Sequence, residues 1–395
     1  VSAARNALVV GAGVFGAAAA TELSRRGWRV RLLDPGPIPH PLAGSTDISK
    51  LVRADYGSDD DYTNLAAEAL PIWREWNAAF GETLFHETGI LALTGAPMEE
   101  RPFERESFLR AERMGFRPER LDARAIAKRF PAFREGRFVD GYLNPVAGWT
   151  ESGRVVCAMV RRAQAAGVEL IEGARVAELL EIGSRIGGVV LEDGTRLTSD
   201  MVVAATGQWT PHLLPFTKPF FRSNGMPVWW LKPVDPAPFA EPKLVGFLAD
   251  ISQTGWYGFP VHPIERVVKI ANHGEGREMH PESPERVVTA EETARLREFL
   301  AGAMPALLDA PIVYTRVCLY CDTRDGHFWI DHDPEREGLV LATGGSGHGL
   351  KFAPVLGGII ADVVERKPNP WAWKFVWRTE GRAVNEEEAR HKESG

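Results

Sequence analysis

Hydrophobic and polar positions are most informative near the start of the chain. Leu8-Val9-Val10 is a short apolar run that breaks at once into Gly11-Ala12-Gly13-Val14-Phe15-Gly16. An Ala-rich stretch of helical character follows to Arg26, where Gly27 stops it. A second apolar run, residues 30–33, ends on Asp34. Read in order, this is strand, Gly-rich turn, helix, strand and acid, in about the length of one βαβ unit.

Further along, residues 61–80 carry an amphipathic helical period with Trp73 and Trp76 on it, and residues 85–94 alternate as a strand. Residues 95–148 look like a separate insertion, richer in Arg, Glu and Phe, with helices near 103–114 and 122–129. The pattern then predicts a helix over 151–166, stopped by Gly167, and a strand over 168–172. Strands over 174–182, 186–192 and 196–198 follow, the last two joined by an Asp193-Gly194 hairpin turn. Residues 201–207 read as a buried strand ending in a Gly turn, which returns the chain to the sheet it left. Residues 215–317 are again different, Pro- and aromatic-rich with strand-like alternation, apart from a helix over 291–303. These shifts predict an α/β protein with a Rossmann-type nucleotide domain (1–84, 149–214, 318–395) interleaved with a β-rich α+β substrate domain (85–148, 215–317). Trp371, Trp373 and Trp377 are expected to pack the C-terminal segment onto the nucleotide domain. The charged tail, 385–395, has no predicted function.

Composition narrows the class. With 44% hydrophobic and 25% charged residues in 395, neither disorder nor a fibre is expected. A net charge of −7 argues against nucleic acid or an anionic membrane as the main partner. No apolar run reaches the roughly 18 residues of a membrane span. The apolar residues 7–20 mimic a short signal peptide, but their spaced glycines and the following strand favour a folded βαβ. Three cysteines, Cys157, Cys318 and Cys321, do not make a disulfide framework, so a reducing, cytoplasmic location is expected. A monomer or small homo-oligomer is the expectation for assembly.

The first βαβ unit carries a dinucleotide signature. Gly11 permits the tight turn, Gly13 lets a pyrophosphate approach bare backbone, and Gly16 lets helix and strand pack closely. The helix start offers N–H groups and partial positive charge to phosphates. Asp34 stands where a carboxylate accepts a ribose hydroxyl. This stretch alone does not separate FAD from NAD.

Late in the chain, Cys318-x-x-Cys321 admits several readings. Residues three apart in a strand face opposite sides, so a disulfide between them is awkward. Zinc would need further ligands, and Cys157 is the only other cysteine. A buried inert cysteine stays open. With Asp325-Gly326-His327-Phe328-Trp329-Ile330-Asp331 and Gly344-Gly345-Ser346-Gly347-His348-Gly349-Leu350-Lys351-Phe352, the region resembles the monomeric sarcosine oxidase family. These are D-amino-acid-oxidase-like flavoproteins, and they include the fructosyl amino acid oxidases, or amadoriases. The resemblance runs nearly end to end and is weakest over 95–145.

That resemblance implies FAD, an interleaved two-domain fold and oxidation of secondary amines by dioxygen. It puts the covalent thioether to the flavin on Cys318. It implies flavin contacts at Gly11, Gly13, Val14, Phe15, Gly16, Asp34, Ser45, Thr46, Lys50, Val176, Thr206, Gly207, Trp209, Gly345, Gly347, His348, Gly349 and Lys351. Lys351 and Arg53 fall on carboxylate-binding positions, though for either alone a solvated surface charge is the commoner explanation. Lys269 matches the lysine that activates dioxygen, His273 an active-site histidine that could equally be structural, and Tyr257 a cavity-lining aromatic. One departure is visible: the sarcosine oxidases carry histidines before an Arg-x-x-Arg pattern, whereas here the chain reads Ser45-Thr46-Asp47-Ile48-Ser49-Lys50. Asp47-Ile48-x-Lys50, Phe85-His86-Glu87-Thr88-Gly89 and Trp377-Arg378 are amadoriase-like; Arg53 is sarcosine-oxidase-like.

The expected function is oxidation of N-substituted amino acids, N-methyl first and fructosyl second, to an imine and then an amino acid plus aldehyde and hydrogen peroxide. The partners are then an amino-acid-like small molecule and dioxygen. Two alternatives of other classes stand beside it. An NAD-dependent dehydrogenase would share residues 11–34 but leave Cys318 and the Gly-His-Gly-Leu-Lys block unused. A flavoprotein passing electrons to a protein acceptor, or a non-catalytic one, would make little peroxide.

Overall fold

The strand Asn6–Val10 is buried because it is central: parallel neighbours flank it and both its faces are covered. A computed structural model describes residues 5–380; the charged tail at 385–395 lies outside the described residues. The sheet around that strand runs Trp329–His332, Leu339–Thr343, Met201–Ala204, Asn6–Val10, Arg29–Asp34, Glu169–Glu172. All strands are parallel except the first, which is antiparallel to its neighbour. A sheet of this kind needs both faces covered. Helices Val14–Arg25, Ser152–Ala165 and Ala353–Val364 bury their apolar sides on one face. On the other lies the three-stranded meander Val176–Ile182, Arg185–Leu191, Arg196–Thr198, whose Ile186 and Val189 pack on Leu8, Val10 and Leu33. The Asp193-Gly194 turn forms as expected, with Asp193 Oδ1 accepting the Thr195 N–H at 2.8 Å.

A nine-stranded sheet holds most of the remaining β structure, and Lys50–Val52, Gly148–Thr150 and Phe85–His86 form a small three-stranded sheet of their own. The spine of the larger sheet is the antiparallel pair Phe221–Leu231 and Ile312–Thr323, in register from Phe221↔Thr323 to Trp230↔Tyr314, with a bulge before Leu231↔Ile312. The side-chain period of two divides this sheet cleanly. Trp229, Leu231, Val268 and Ile270 face a core closed by the helix Ala290–Ala303, which starts with a capping box on Thr289 and Glu292. Met226, Val228, Ala271, Cys318 and Tyr320 face the opposite way. Cys318 and Cys321 therefore point to different layers: the Cys321 thiol accepts from Thr343 Oγ1 at 3.6 Å inside the core that packs on the six-stranded sheet, and both cysteines are free.

Two elements differ from the sequence pattern. The run 85–94 is not one strand: Phe85–His86 pairs with Gly148–Thr150, whereas Ile90–Thr94 joins the large sheet. Gly89, at φ 82°, makes the break. The strand Ile312–Thr323 crosses residues 317 and 318 without interruption, so Cys318 sits in mid-strand. Among the described residues, no helix is long and apolar enough to cross a membrane.

Candidate active site

The Gly-rich turn opens a groove of about 510 Å³. Its walls include Gly11, Gly13, Val14, Phe15, Asp34, Ser45, Lys50, Val176, Thr206, Gly207, Trp209, Gly345, Gly347 and Gly349, brought together from six separate stretches of chain. The three signature glycines differ as expected. Gly11 has φ 102°, and a Cβ there would stand 2.5 Å from the Ala205 carbonyl oxygen. A Cβ at Gly16 would stand 1.8 Å from the Gly11 carbonyl oxygen, so this residue lets helix and turn touch and does not line the groove. At Gly13 a Cβ would meet only Ser45 Oγ, at 3.3 Å. Asp34 is buried and already holds two backbone amides, Ala12 N on Oδ2 and Gly36 N on Oδ1, both at 2.8 Å. These bonds fix the carboxylate at the groove wall, and each oxygen keeps a lone pair for a hydroxyl. Bare backbone at a helix start, a fixed acid at the groove wall and a mostly apolar lining fit a dinucleotide.

The groove meets a second, larger cleft of about 1660 Å³. Lys50, Tyr320, Gly347 and Leu350 line both, so the junction is where a ring held by the groove would be exposed to the cleft. Arg53, Tyr257, His273, His348 and Lys351 all line the cleft. Arg53 and Lys351 are buried and converge on one side chain, Tyr56. The Arg53 guanidinium carbon lies 5.3 Å from the centre of the Tyr56 ring, and Lys351 Nζ donates to the Tyr56 hydroxyl at 2.8 Å. On the opposite wall His273 Nδ1 is 3.3 Å from the Tyr320 hydroxyl. Burial raises the Tyr257 phenol above its ordinary range, so it stays protonated.

Behind the junction, Lys269 and Asp47 form a buried ion pair that lines neither space. Lys269 Nζ is 2.6 Å from Asp47 Oδ2 and donates to the Ser49 carbonyl at 2.5 Å, and both side chains of the ion pair are 1% exposed. Burial pushes the Lys269 ammonium down to about 8, with Asp47 opposing the shift and Lys50 adding to it. Lys50 Nζ stands 3.8 Å from the Cys318 sulfur. Burial opposes ionisation of that thiol, but Lys50, Arg316 and Lys269 outweigh it and Cys318 is lowered from its ordinary range. The loop carrying Ser45 and Thr46 is clamped by half-buried arginines: Arg316 donates to the carbonyls of Thr46 and Ala43, and Arg286 to that of Leu42. The Thr46 hydroxyl is itself buried, and Thr46 does not line the groove.

The sequence pattern assigns no role to Tyr56, Tyr320, Arg286 or Arg316, and although Asp47 stands in an amadoriase-like stretch, nothing there makes it the partner of Lys269. Tyr320, two residues beyond Cys318 on the same strand face, follows from the period of two once the strand is known. The others are brought in by long-range packing. Trp373 corrects an expectation: Trp371 and Trp377 pack against the cores on either face of the six-stranded sheet, but Trp373 is 63% exposed and stands on the cleft rim. Among the described residues, no group of three or more acidic, histidine and cysteine side chains is placed to hold a metal ion.

Comparison with known proteins agrees with this geometry. Residues 6–363 match the DAO family, described as FAD dependent oxidoreductase. The chain is 26% identical over 370 residues to monomeric sarcosine oxidase of Bacillus sp. (strain B-0618), covering 90% of this chain and 91% of that protein. It is 27% identical over 367 residues to N-methyl-L-tryptophan oxidase of Salmonella arizonae, covering 92% and 95%. The solved fructosamine oxidase (Amadoriase II) of Aspergillus fumigatus superposes with a TM-score of 0.83 at 25% identity, over 96% of this chain and 91% of that one. Fructosyl peptide oxidase from E. terrenum gives 0.85 at 20% identity, over 98% and 95%, a likeness of fold.

Proposed function

The chain belongs to the DAO family of FAD dependent oxidoreductases, and from that premise we propose that it oxidises N-substituted amino acids with dioxygen. The observation that carries this reading is the convergence of Arg53 and Lys351 on Tyr56 in the cleft that adjoins the nucleotide groove. Two cations at one point select a carboxylate and fix the rest of the substrate relative to the junction. Bound FAD supplies a two-electron acceptor for the hydride equivalent that leaves the carbon next to the amine nitrogen.

The residues of this chain then have separate tasks. The turn from Gly11 to Gly16 and the following helix start hold the pyrophosphate, and Asp34 takes the ribose. Arg53 and Lys351 orient the amino acid so that its N-alkyl group lies at the junction. Tyr257, Tyr320 and His273 wall the cleft there. The substrate amine binds unprotonated, so no residue has to act as a strong base. The imine product is hydrolysed to an amino acid and an aldehyde. Lys269, a fixed ammonium behind the junction, stabilises negative charge as dioxygen is reduced to hydrogen peroxide. Cys318, its thiol favoured as thiolate by Lys50, is the proposed point of covalent flavin attachment.

The relatives named above act on sarcosine, N-methyl-L-tryptophan and fructosamines, which defines the panel to test. A cleft of about 1660 Å³ is far larger than N-methylglycine needs, which keeps fructosyl amino acids as the second reading. Peroxide release is measured on sarcosine, larger N-methyl amino acids, cyclic imino acids and fructosyl-valine. Turnover of an N-methyl amino acid is expected, and no peroxide from any secondary amine overturns the proposal.

A further inference from the structure

We propose that Tyr56 is the positioning residue of the carboxylate clamp, holding Lys351 and Arg53 at the spacing that makes them one site. The inference rests on the clamp reading above and adds the part that builds it. Tyr56 hangs from the short loop that follows the strand Lys50–Val52 and is set in an aromatic box. Its ring stacks on Tyr62 at 5.2 Å and 22°, with Phe352 at 5.8 Å and His348 at 5.6 Å.

With His348 neutral, the hydrogen-bond directions around the Tyr56 hydroxyl follow from donor chemistry. His348 Nε2 lies 2.9 Å from the Gly326 carbonyl oxygen, which only accepts, so Nε2 carries the proton. In the neutral ring Nδ1 is then an acceptor, and it lies 3.0 Å from the Tyr56 hydroxyl. That hydroxyl donates to His348 and must accept from Lys351, whose ammonium can only donate. The chain Lys351 to Tyr56 to His348 to Gly326 has one consistent polarity. It turns the phenol oxygen's lone pairs toward Lys351 and fixes one of the three ammonium N–H bonds. The negative face of the same ring attracts the Arg53 guanidinium at 5.3 Å, and Phe103 lies 5.7 Å from that guanidinium.

Two long cationic side chains that repel each other are thus fixed to one rigid support before substrate arrives. Preorganisation of this kind appears in substrate affinity and in selectivity for the carboxylate, not in the rate of the bond-breaking step.

The test uses the holoenzyme with FAD bound. Methoxyacetate, which has an ether oxygen in place of the amine of N-methylglycine, and methoxyacetamide are titrated by calorimetry. Turnover of the best N-methyl amino acid is measured alongside. Tyr56→Phe keeps the ring and removes the hydroxyl. Its methoxyacetate Kd and its KM are expected to rise about tenfold, the worth of one hydrogen bond to a charged group, with kcat within about twofold of the parent. Methoxyacetamide binding stays unchanged. Tyr56→Ala, which also removes the support under Arg53, should weaken carboxylate binding further. Melting temperature and bound-FAD absorbance establish that each variant is folded. Tyr56→Phe with parental carboxylate affinity overturns the proposal, as does a loss in kcat at constant KM. Lys351→Met and Arg53→Met separate the two readings. If they weaken methoxyacetate and Tyr56→Phe does not, the clamp stands and Tyr56 has no part in it. If neither does, or the parent shows no preference for the carboxylate over the amide, the clamp itself is wrong.

Discussion

A lysine with 1% of its side chain exposed carries its charge at a cost unless something holds the proton there. At position 269 that something is Asp47. Burial brings the ammonium down to about 8 against this partner, which itself is held below the usual carboxylate range chiefly by Lys269, against its own burial. The sign follows directly. Between about pH 8 and the unfolded value of 10.5, the unfolded chain binds more protons at this lysine than the folded one, so its contribution to stability improves as pH rises through that window. The proposed oxygen chemistry runs the other way, since it needs the charged form. The rate constant for reoxidation of reduced enzyme by dioxygen, followed by stopped-flow absorbance, is expected to be flat below pH 8 and to fall above it. Asp47→Asn should move that break to lower pH. Lys269→Met should slow reoxidation by about 10²- to 10³-fold, the usual worth of one fixed charge-stabilising group, while flavin reduction by substrate stays near normal. A pH-independent reoxidation, or an unaffected Lys269→Met, removes Lys269 from that role. Neither Asp47 nor Tyr56 is visible as a partner in the sequence, because each meets its lysine across more than two hundred residues of chain.

At the scale of elements, the Gly-rich turn allows two glycines to be told apart by experiment. Gly16→Ala drives a Cβ to within 1.8 Å of the Gly11 carbonyl oxygen, a backbone clash that helix Val14–Arg25 relieves only by moving off the strand. A loss of roughly 2–4 kcal/mol in stability is expected, read from denaturant unfolding of the apoprotein. Gly13→Ala meets one flexible hydroxyl at 3.3 Å, so the apoprotein should unfold within about 0.5 kcal/mol of the parent. Its methyl group projects at the groove wall, and FAD affinity should drop at least tenfold in a fluorescence titration. Equal stability of the two apoproteins would contradict the division of labour. This βαβ unit was legible in the sequence because its chemistry is local: turn, cap and strand lie within a few residues of one another. The break at Gly89 was not, because alternation persists across 85–94 while the two halves join different sheets, and sheet membership is a tertiary property. The same reason hides the unbroken course of Ile312–Thr323, whose long partner strand lies some ninety residues upstream.

For the molecule as a whole, the groove is a keystone: stretches from residues 10 to 350 meet at its walls, and the mid-strand placement of Cys318 ties the large sheet to it through Lys50. A ligand that binds only the folded form stabilises by RT ln(1 + [L]/Kd), about 2.7 kcal/mol at a hundredfold excess over Kd, so a non-covalent holoenzyme must melt at lower temperature when diluted. A covalent one must not, because the cofactor then behaves as part of the chain. The proposed bond from Cys318 therefore predicts a melting temperature independent of protein and FAD concentration. It also predicts yellow colour that precipitates with protein in acid. Cys318→Ser removes one sulfur and leaves the groove walls intact, so it should still take up FAD. Its melting temperature should climb with added FAD and fall on dilution, and its colour should stay in the acid supernatant. A parent enzyme whose melting temperature already tracks FAD concentration would show the cofactor to be held by the groove alone. Cys318 would then be left as a buried thiol beside Lys50, with the clamp and the fold untouched.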